Sequence, residues 1–171
     1  MSNRSPVFLC RGLFGWGKTE KSVNYWGTAT EVDRSGLPVF EAAVGPVSSF
    51  HDRACGLAAQ IKGVRVDYGR RHAEKMGHAR FSTDYAGRGF HPDWSEDQPV
   101  HLVGHSAGAH TILRLQHLLS IDYWGWGSNE NWVKSINTIS GALNGSPFPY
   151  FLGLNKQNGL IKTKRILSIA F

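Results

Sequence analysis

The stretch PVHLVGHSAGAHTILRLQHLL, Pro99 to Leu119, decides the fold. Its first six residues, Pro99 to Gly104, form a short apolar run that reads as a buried strand. From Ala107 to Leu119 the apolar residues recur at helical spacing. Ile112, Leu113, Leu115, Leu118 and Leu119 are expected on the apolar side of a helix. Between strand and helix stands Gly104-His105-Ser106-Ala107-Gly108, the pattern G-x-S-x-G. Small residues two places either side of a serine let the backbone turn sharply from strand to helix. The turn lifts the hydroxyl above the sheet edge, and the helix amino terminus brings partial positive charge to it. The pattern alone is weak in a chain with 20 glycines. An apolar strand before it and an amphipathic helix after it make it a nucleophile elbow.

Working outward, Pro6 to Cys10 (PVFLC) reads as a strand, followed by a glycine-rich loop, Gly12 to Gly17. Leu37 to Val44 is a second strand candidate. Ser48 to Ile61 reads as a helix, with Ser48 or Ser49 as its cap and Ala54, Leu57, Ala58 and Ile61 on its apolar side. Val133 to Ile139 is a fourth strand. Strands alternating with helices predict a parallel sheet with right-handed crossovers, an α/β-hydrolase fold with about four strands. Val64 to Pro92 has little periodicity and many His, Arg, Gly and Tyr residues. It reads as an irregular insertion that something must hold in place. The polar and aromatic segment Asp122 to Trp132 reads as a loop. The tryptophans in YWGWG suit core or rim packing better than a lipid-facing wall.

Composition sets outer bounds. At 171 residues with 41% hydrophobic content, the chain suits one domain with a sizeable core. No apolar run is long enough to span a membrane, and MSNRSPVFLCRG is too short and too quickly polar for a signal peptide. The compartment stays undetermined. Nineteen Lys and Arg against thirteen Asp and Glu give a net charge of +6. The positives are scattered. The KTKR cluster at Lys162 to Arg165 is too short to argue for a nucleic-acid partner. Cys10 and Cys55 lie in apolar segments and read as buried free thiols, not as a disulfide or a metal site.

Several segments together resemble one family, the zinc-containing thermostable bacterial triacylglycerol lipases and their eukaryotic relatives. They are PVFLCRGLFGWG (Pro6 to Gly17), NYWG (Asn24 to Gly27), AVGPVSSFHDRACGLAAQIKGVRVDYGRRHAEKMGHARF (Ala43 to Phe81) and VHLVGHSAGAHT (Val100 to Thr111). The resemblance spans about residues 6–140. It implies that Ser106 is the nucleophile and that the backbone N–H groups of Leu13 and Ala107 form the oxyanion hole. It also implies a structural zinc on Asp52, His72 and His78, with no fourth ligand identified in this chain. The spacing of His72 and His78 alone lies outside the short helical zinc patterns and favours surface histidines. His51 is a possible group behind the ligands. The chain departs from the family at Arg11-Gly12, at Ala107, and at Ser140-Gly141-Ala142-Leu143. The bacterial relatives are secreted.

The resemblance implies hydrolysis of lipid esters, triacylglycerol-like, with transient contact at a lipid interface. The chain reads as a single partial domain over residues 1–171, with a family-like region at about 6–140, the insertion at about 64–92 and a divergent tail at about 147–171. In this fold the triad runs Ser, then acid, then His. After Ser106 the acids are Asp122 and Glu130, and the histidines His110 and His117 precede both. The expectation is therefore that this chain by itself is not a competent lipase. The alternative is a truncated or degenerate homologue that does not catalyse.

Overall fold

A computed structural model describes residues 5–15, 25–29, 36–151, 153–155 and 157. The glycine-rich loop is thus seen as far as Gly15, while Asn24 and Lys162 to Arg165 lie outside the described residues. The chain divides into two compact units, Met1–Gly141 and Ala142–Phe171. The second contains a one-turn helix, Phe148–Phe151.

In the first unit four strands, β1 (Val7–Cys10), β2 (Val39–Glu41), β3 (Val100–His105) and β4 (Val133–Ile139), pair in the order β2-β1-β3-β4. Every pairing is parallel, with Val7 opposite Val39 and His101, and Leu102 opposite Ile136. Parallel neighbours need long crossovers. Helix α1 (Phe50–Lys62) lies in the connection from β2 to β3, and α3 (Ala107–Ser120) in that from β3 to β4. The second strand is shorter at both ends than its apolar run predicts, because pairing with β1 covers Val39 to Glu41 only.

Alternation along β3 explains which face is covered. Val100, Leu102 and Gly104 are buried, while His101, Val103 and His105 are half-buried. Beneath the buried face α1 packs on α3. Leu57 and Ile61 from α1, Ile112, Leu115, Leu118 and Leu119 from α3, and Phe8 and Leu102 from the sheet are buried without access to solvent. Leu113, expected on the apolar side of α3, is instead 38% exposed. Its neighbours Ile112 and Leu115 hold the inward positions, and 113 falls outside the stripe they define. Trp94 closes the core from the end of the insertion, donating from Nε1 to the Trp132 carbonyl at 2.9 Å.

The insertion is more regular than its composition predicts. Asp67 and Phe81 form an antiparallel bridge, flanked by Tyr68 N–H to Arg80 O at 2.8 Å and Ser82 N–H to Val66 O at 2.9 Å. The side chain of Arg80 grips Asp67 through both carboxylate oxygens. This closure creates a loop across which a seven-residue helix, α2 (Arg70–Met76), forms and stops at Gly77 in the left-handed region. Composition concealed the helix because α2 buries only Ala73, so it carries no apolar stripe.

The segment after α3 is organised by Asp122. Its carboxylate accepts from the N–H groups of Trp126 (2.8 Å), Gly127 (3.1 Å) and Ser128 (3.0 Å). The resulting turn stacks Trp124 on Trp126, centroids 4.7 Å apart, and both pack against the core as partly buried residues. Core packing is therefore the role of these tryptophans. The donated hydrogen bonds, from Ser128 foremost, hold the Asp122 carboxyl below its ordinary titration range. A depressed folded-state value stabilises the fold above the ordinary carboxylate range, and this contribution disappears as pH falls through the depressed value. The tryptophan emission should accordingly shift to the red as pH drops below about 4. Asp122→Asn should show a loosened turn already at neutral pH and lose that acid transition. Identical acid profiles for the two proteins would contradict the assignment.

Candidate active site

The elbow follows from crowding. Ser106 caps α3 with φ 54° and ψ −122°, at the carboxyl end of β3, and its N–H donates to Ile139 O at 2.9 Å. A non-glycine residue there carries roughly 1–3 kcal/mol of strain, which the surrounding structure must hold. Glycines on both sides allow it. A Cβ on Gly104 would sit 2.5 Å from the Gly108 carbonyl oxygen, and one on Gly108 would sit 2.0 Å from the Cys10 carbonyl oxygen. Four non-glycine residues among those described have positive φ: Phe14, Ser106, Asp122 and Ser140. Phe14, Ser106 and Ser140 follow the carboxyl ends of β1, β3 and β4, so strain concentrates at one edge of the sheet.

The loop after β1 lies against the elbow. A Cβ on Gly12 would come within 2.9 Å of Ser106 Cβ and 3.3 Å of the His105 carbonyl oxygen. Three consecutive amides in this loop have different fates. Gly12 N–H donates to the Tyr25 hydroxyl at 3.0 Å, and Phe14 N–H donates to Pro46 O at 2.9 Å. Leu13 N–H, between them, has no hydrogen-bond partner among the described residues. Ala107 is the first residue of α3, so its N–H lacks an intrahelical acceptor. The two amides that the family resemblance singles out are thus both available for a ligand atom. His105 points to Tyr25, whose hydroxyl meets His105 Nδ1 in a short hydrogen bond.

Asp52, His72 and His78 converge. Each offers one donor atom, and all of these lie within 4.8 Å of one another. His72 Nε2 is 2.7 Å and His78 Nε2 is 3.3 Å from Asp52 Oδ1. Ligands about 2.0–2.1 Å from a tetrahedral zinc stand roughly 3.3 Å apart; His78 and Asp52 have that separation, whereas His72 and Asp52 stand at hydrogen-bond distance. The second nitrogens support the same orientation. His78 Nδ1 is 2.7 Å from the Ala79 carbonyl, which it can meet only by donating. That bond turns Nε2 toward the Asp52 carboxylate, the orientation a metal ligand needs. Asp52 itself is fixed by Ser49, which caps α1: Ser49 Oγ donates to Asp52 Oδ2 at 2.7 Å and accepts from Asp52 N–H at 3.1 Å.

His51 does stand behind these residues. Its ring packs on His72 with centroids 4.4 Å apart, and its Nε2 donates to Tyr68 O at 2.8 Å. Burial lowers its pKa first of all, which favours the neutral ring that Arg114 can approach as a donor at 3.2 Å. Both cysteines are buried free thiols, as expected, and burial raises Cys10 to about 11 and Cys55 to about 12.

Two arginines are buried among the described residues: the sequence marked Arg11 only as a departure from the family, and Arg53 not at all. Arg11, fully buried, donates to Val44 O at 3.0 Å and has Glu41 Oε1 at 3.8 Å. Arg53, 1% exposed, sits in α1 on the side that also bears Leu57 and Ile61. An arginine at the helical spacing of an apolar stripe is the signal that could have found it.

A family model described as "Lipase-like, C-terminal domain" matches residues 3–157. The chain belongs to this family. It is 36% identical over 168 residues to Lipase 1 of Staphylococcus aureus (strain Mu50 / ATCC 700699), a match covering 84% of this chain and 24% of that protein. Among solved structures, EstA from Clostridium botulinum superposes with a TM-score of 0.76 at 33% identity, covering 98% of this chain and 42% of that one. Lipase 1 from Pelosinus fermentans gives 0.74 at 30%, covering 98% and 57%. The chain therefore has the α/β-hydrolase fold of these proteins with part of their sheet, and it spans about a quarter of the curated relatives' length.

Gly108→Ala should push α3 off β1. We expect destabilisation of about 1–3 kcal/mol or more from overpacking, read as a lower urea midpoint. A midpoint equal to that of the parent chain would show that the close approach does not exist in solution.

Proposed function

We propose that this chain carries the nucleophile half of a serine ester hydrolase acting on lipid esters, with Ser106 as the attacking group. The observation that carries this reading is the strained Ser106 turn beside two amides, those of Leu13 and Ala107, that have no hydrogen-bond partner among the described residues. Ser106 Oγ would attack the acyl carbonyl, forming a tetrahedral oxyanion that both N–H groups can meet. Triacylglycerol as substrate rests on family membership, and brief contact with a lipid interface follows from such a substrate.

The base is another matter. Downstream of Ser106, Asp122 is engaged by three backbone amides, and His110 stacks on Phe50 with centroids 4.8 Å apart. His117 sits exposed in the last turn of α3. None is arranged as an acid–histidine pair with Ser106, so the full hydrolytic rate is proposed for a protein that supplies one. A second reading, a homologue that binds metal without turnover, is favoured by the same observation.

Asp52 Oδ1, His72 Nε2 and His78 Nε2 would hold a zinc ion. Bound there, zinc would supply a structural tie and no chemistry on the ester. The three residues join α1 to α2 and to the turn after Gly77, so the ion would pin the insertion onto the helix below it.

Two measurements test these readings. On a short-chain p-nitrophenyl ester, the chain should show at most a small rate, up to the ~10³–10⁴-fold over water that oxyanion donors and binding alone supply, and mass spectrometry should find the acyl group on Ser106 in the parent chain but not in Ser106→Ala. Turnover at a full lipase rate would require a base in this chain, and no acyl group on Ser106 would leave only the non-catalytic reading. In metal analysis, the purified chain should bind one zinc per molecule, raising its melting temperature. His78→Ala should weaken binding at least tenfold. No gain of stability on adding zinc would end the metal assignment.

A further inference from the structure

The Arg53 guanidinium is buried between α1, α3 and the loop after β1. Its Nε donates to Thr111 Oγ1 at 2.9 Å, and one terminal nitrogen donates to Gly45 O at 2.5 Å. The other terminal nitrogen donates to Arg11 O in a short bond and to Gly12 O at 3.3 Å. No carboxylate lies within ion-pair distance of it among the described residues. A buried cation without a counter-ion is costly, and its hydrogen bonds must offset the loss of water. Arg53 spends them on two successive carbonyls of one loop.

That choice has a geometric result. Gly12 C=O and Leu13 N–H belong to the same planar trans peptide and point to opposite sides of it. A guanidinium that draws the Gly12 carbonyl down toward α1 turns the Leu13 N–H away from α1. Tyr25 restrains the same loop from the other side, because its hydroxyl accepts Gly12 N–H. Phe14 is fixed by Pro46. The Leu13 amide is thereby held out of the internal hydrogen bonding of the loop. Arg53 reaches the next element as well: Thr111 lies one turn beyond Ala107 and donates to its carbonyl at 3.1 Å. One side chain thus ties the loop that bears Leu13 to the helix that begins at Ala107.

We propose that Arg53 is a positioning residue: through the Arg11 and Gly12 carbonyls it aims the Leu13 N–H at the oxyanion and fixes its distance from the Ala107 N–H. Its link to catalysis rests on the reading of Ser106 as nucleophile, whereas its hold on the Leu13 peptide does not. Arginine suits the task and lysine does not, because three separate directions must be met by a rigid planar fork.

The test uses the chain labelled with ¹⁵N-leucine, as the parent protein, Arg53→Lys, Arg53→Met and Thr111→Val. In both Arg53 variants the Leu13 amide resonance should move. The amides of Leu102, Leu115 and Leu118 should stay in place. Thr111→Val leaves the two carbonyl bonds intact and should leave Leu13 where it was. Where Ser106-dependent turnover is measurable, Arg53→Lys should lower kcat by roughly 10²-fold with little change in KM. An unmoved Leu13 amide in an Arg53 variant with native core resonances would overturn the proposal. Should both variants lose the core pattern, the parent protein decides. Slowly exchanging Arg53 guanidinium protons with Overhauser contacts to Gly12 support the proposal, and their absence refutes it. No acyl group found on Ser106 after reaction with the ester would sink the nucleophile reading while the amide measurement still judged Arg53.

Discussion

The contact between α3 and β1 admits no side chain, and the rest of the site depends on it. Gly108 rests against the Cys10 carbonyl, and Gly104 rests against Gly108. Because β1 and β3 are neighbours in the sheet, their carboxyl ends open on the same edge. The loop leaving β1 and the turn leaving β3 are then forced together, with Gly12 against Ser106. A larger residue at any of these positions would separate the nucleophile from the amides it needs. Sheet order and three missing Cβ atoms thus achieve what no single hydrogen bond could. They bring together backbone groups that are nearly a hundred residues apart in sequence.

The sheet and the elbow were legible because they are written in short-range patterns. PVFLC and PVHLVG are apolar runs of strand length, and Val133 to Ile139 is β-branched at Val133, Ile136, Thr138 and Ile139. G-x-S-x-G between a strand and a helix has one mechanical meaning. That Asp52, His72 and His78 would come together was suggested by family resemblance alone, since their spacing favoured surface histidines. The polar anchors were not legible. Arg53, Tyr25 and Arg11 act through backbone carbonyls, amides and each other's surroundings, and a carbonyl leaves no mark on the residue letter. Helix α2 was missed for a related reason, because it is stabilised by a closed loop at its base and has little apolar face of its own.

The candidate metal residues and the candidate oxyanion loop meet adjacent side chains of one short helix. Asp52 faces the insertion, where His72 and His78 meet it, and Arg53 faces the sheet edge. Ser49 holds the start of that helix by capping it and gripping Asp52. The insertion is thus mounted on the same element that steadies the loop after β1, although no insertion residue reaches that loop through any bond described above.

Adjacency of Asp52 and Arg53 also constrains how such a chain can change over evolutionary time. Successive residues on an α-helix are about 100° apart around its axis. One residue gained or lost between Ser49 and Arg53 would swing one of these side chains into the region assigned to the other. A carboxylate would then meet the loop carbonyls, or a guanidinium would meet the histidines. A point substitution would strike one of these ends, but a change in length here would strike both together. The first turn of α1 should therefore be a stretch where relatives keep their count.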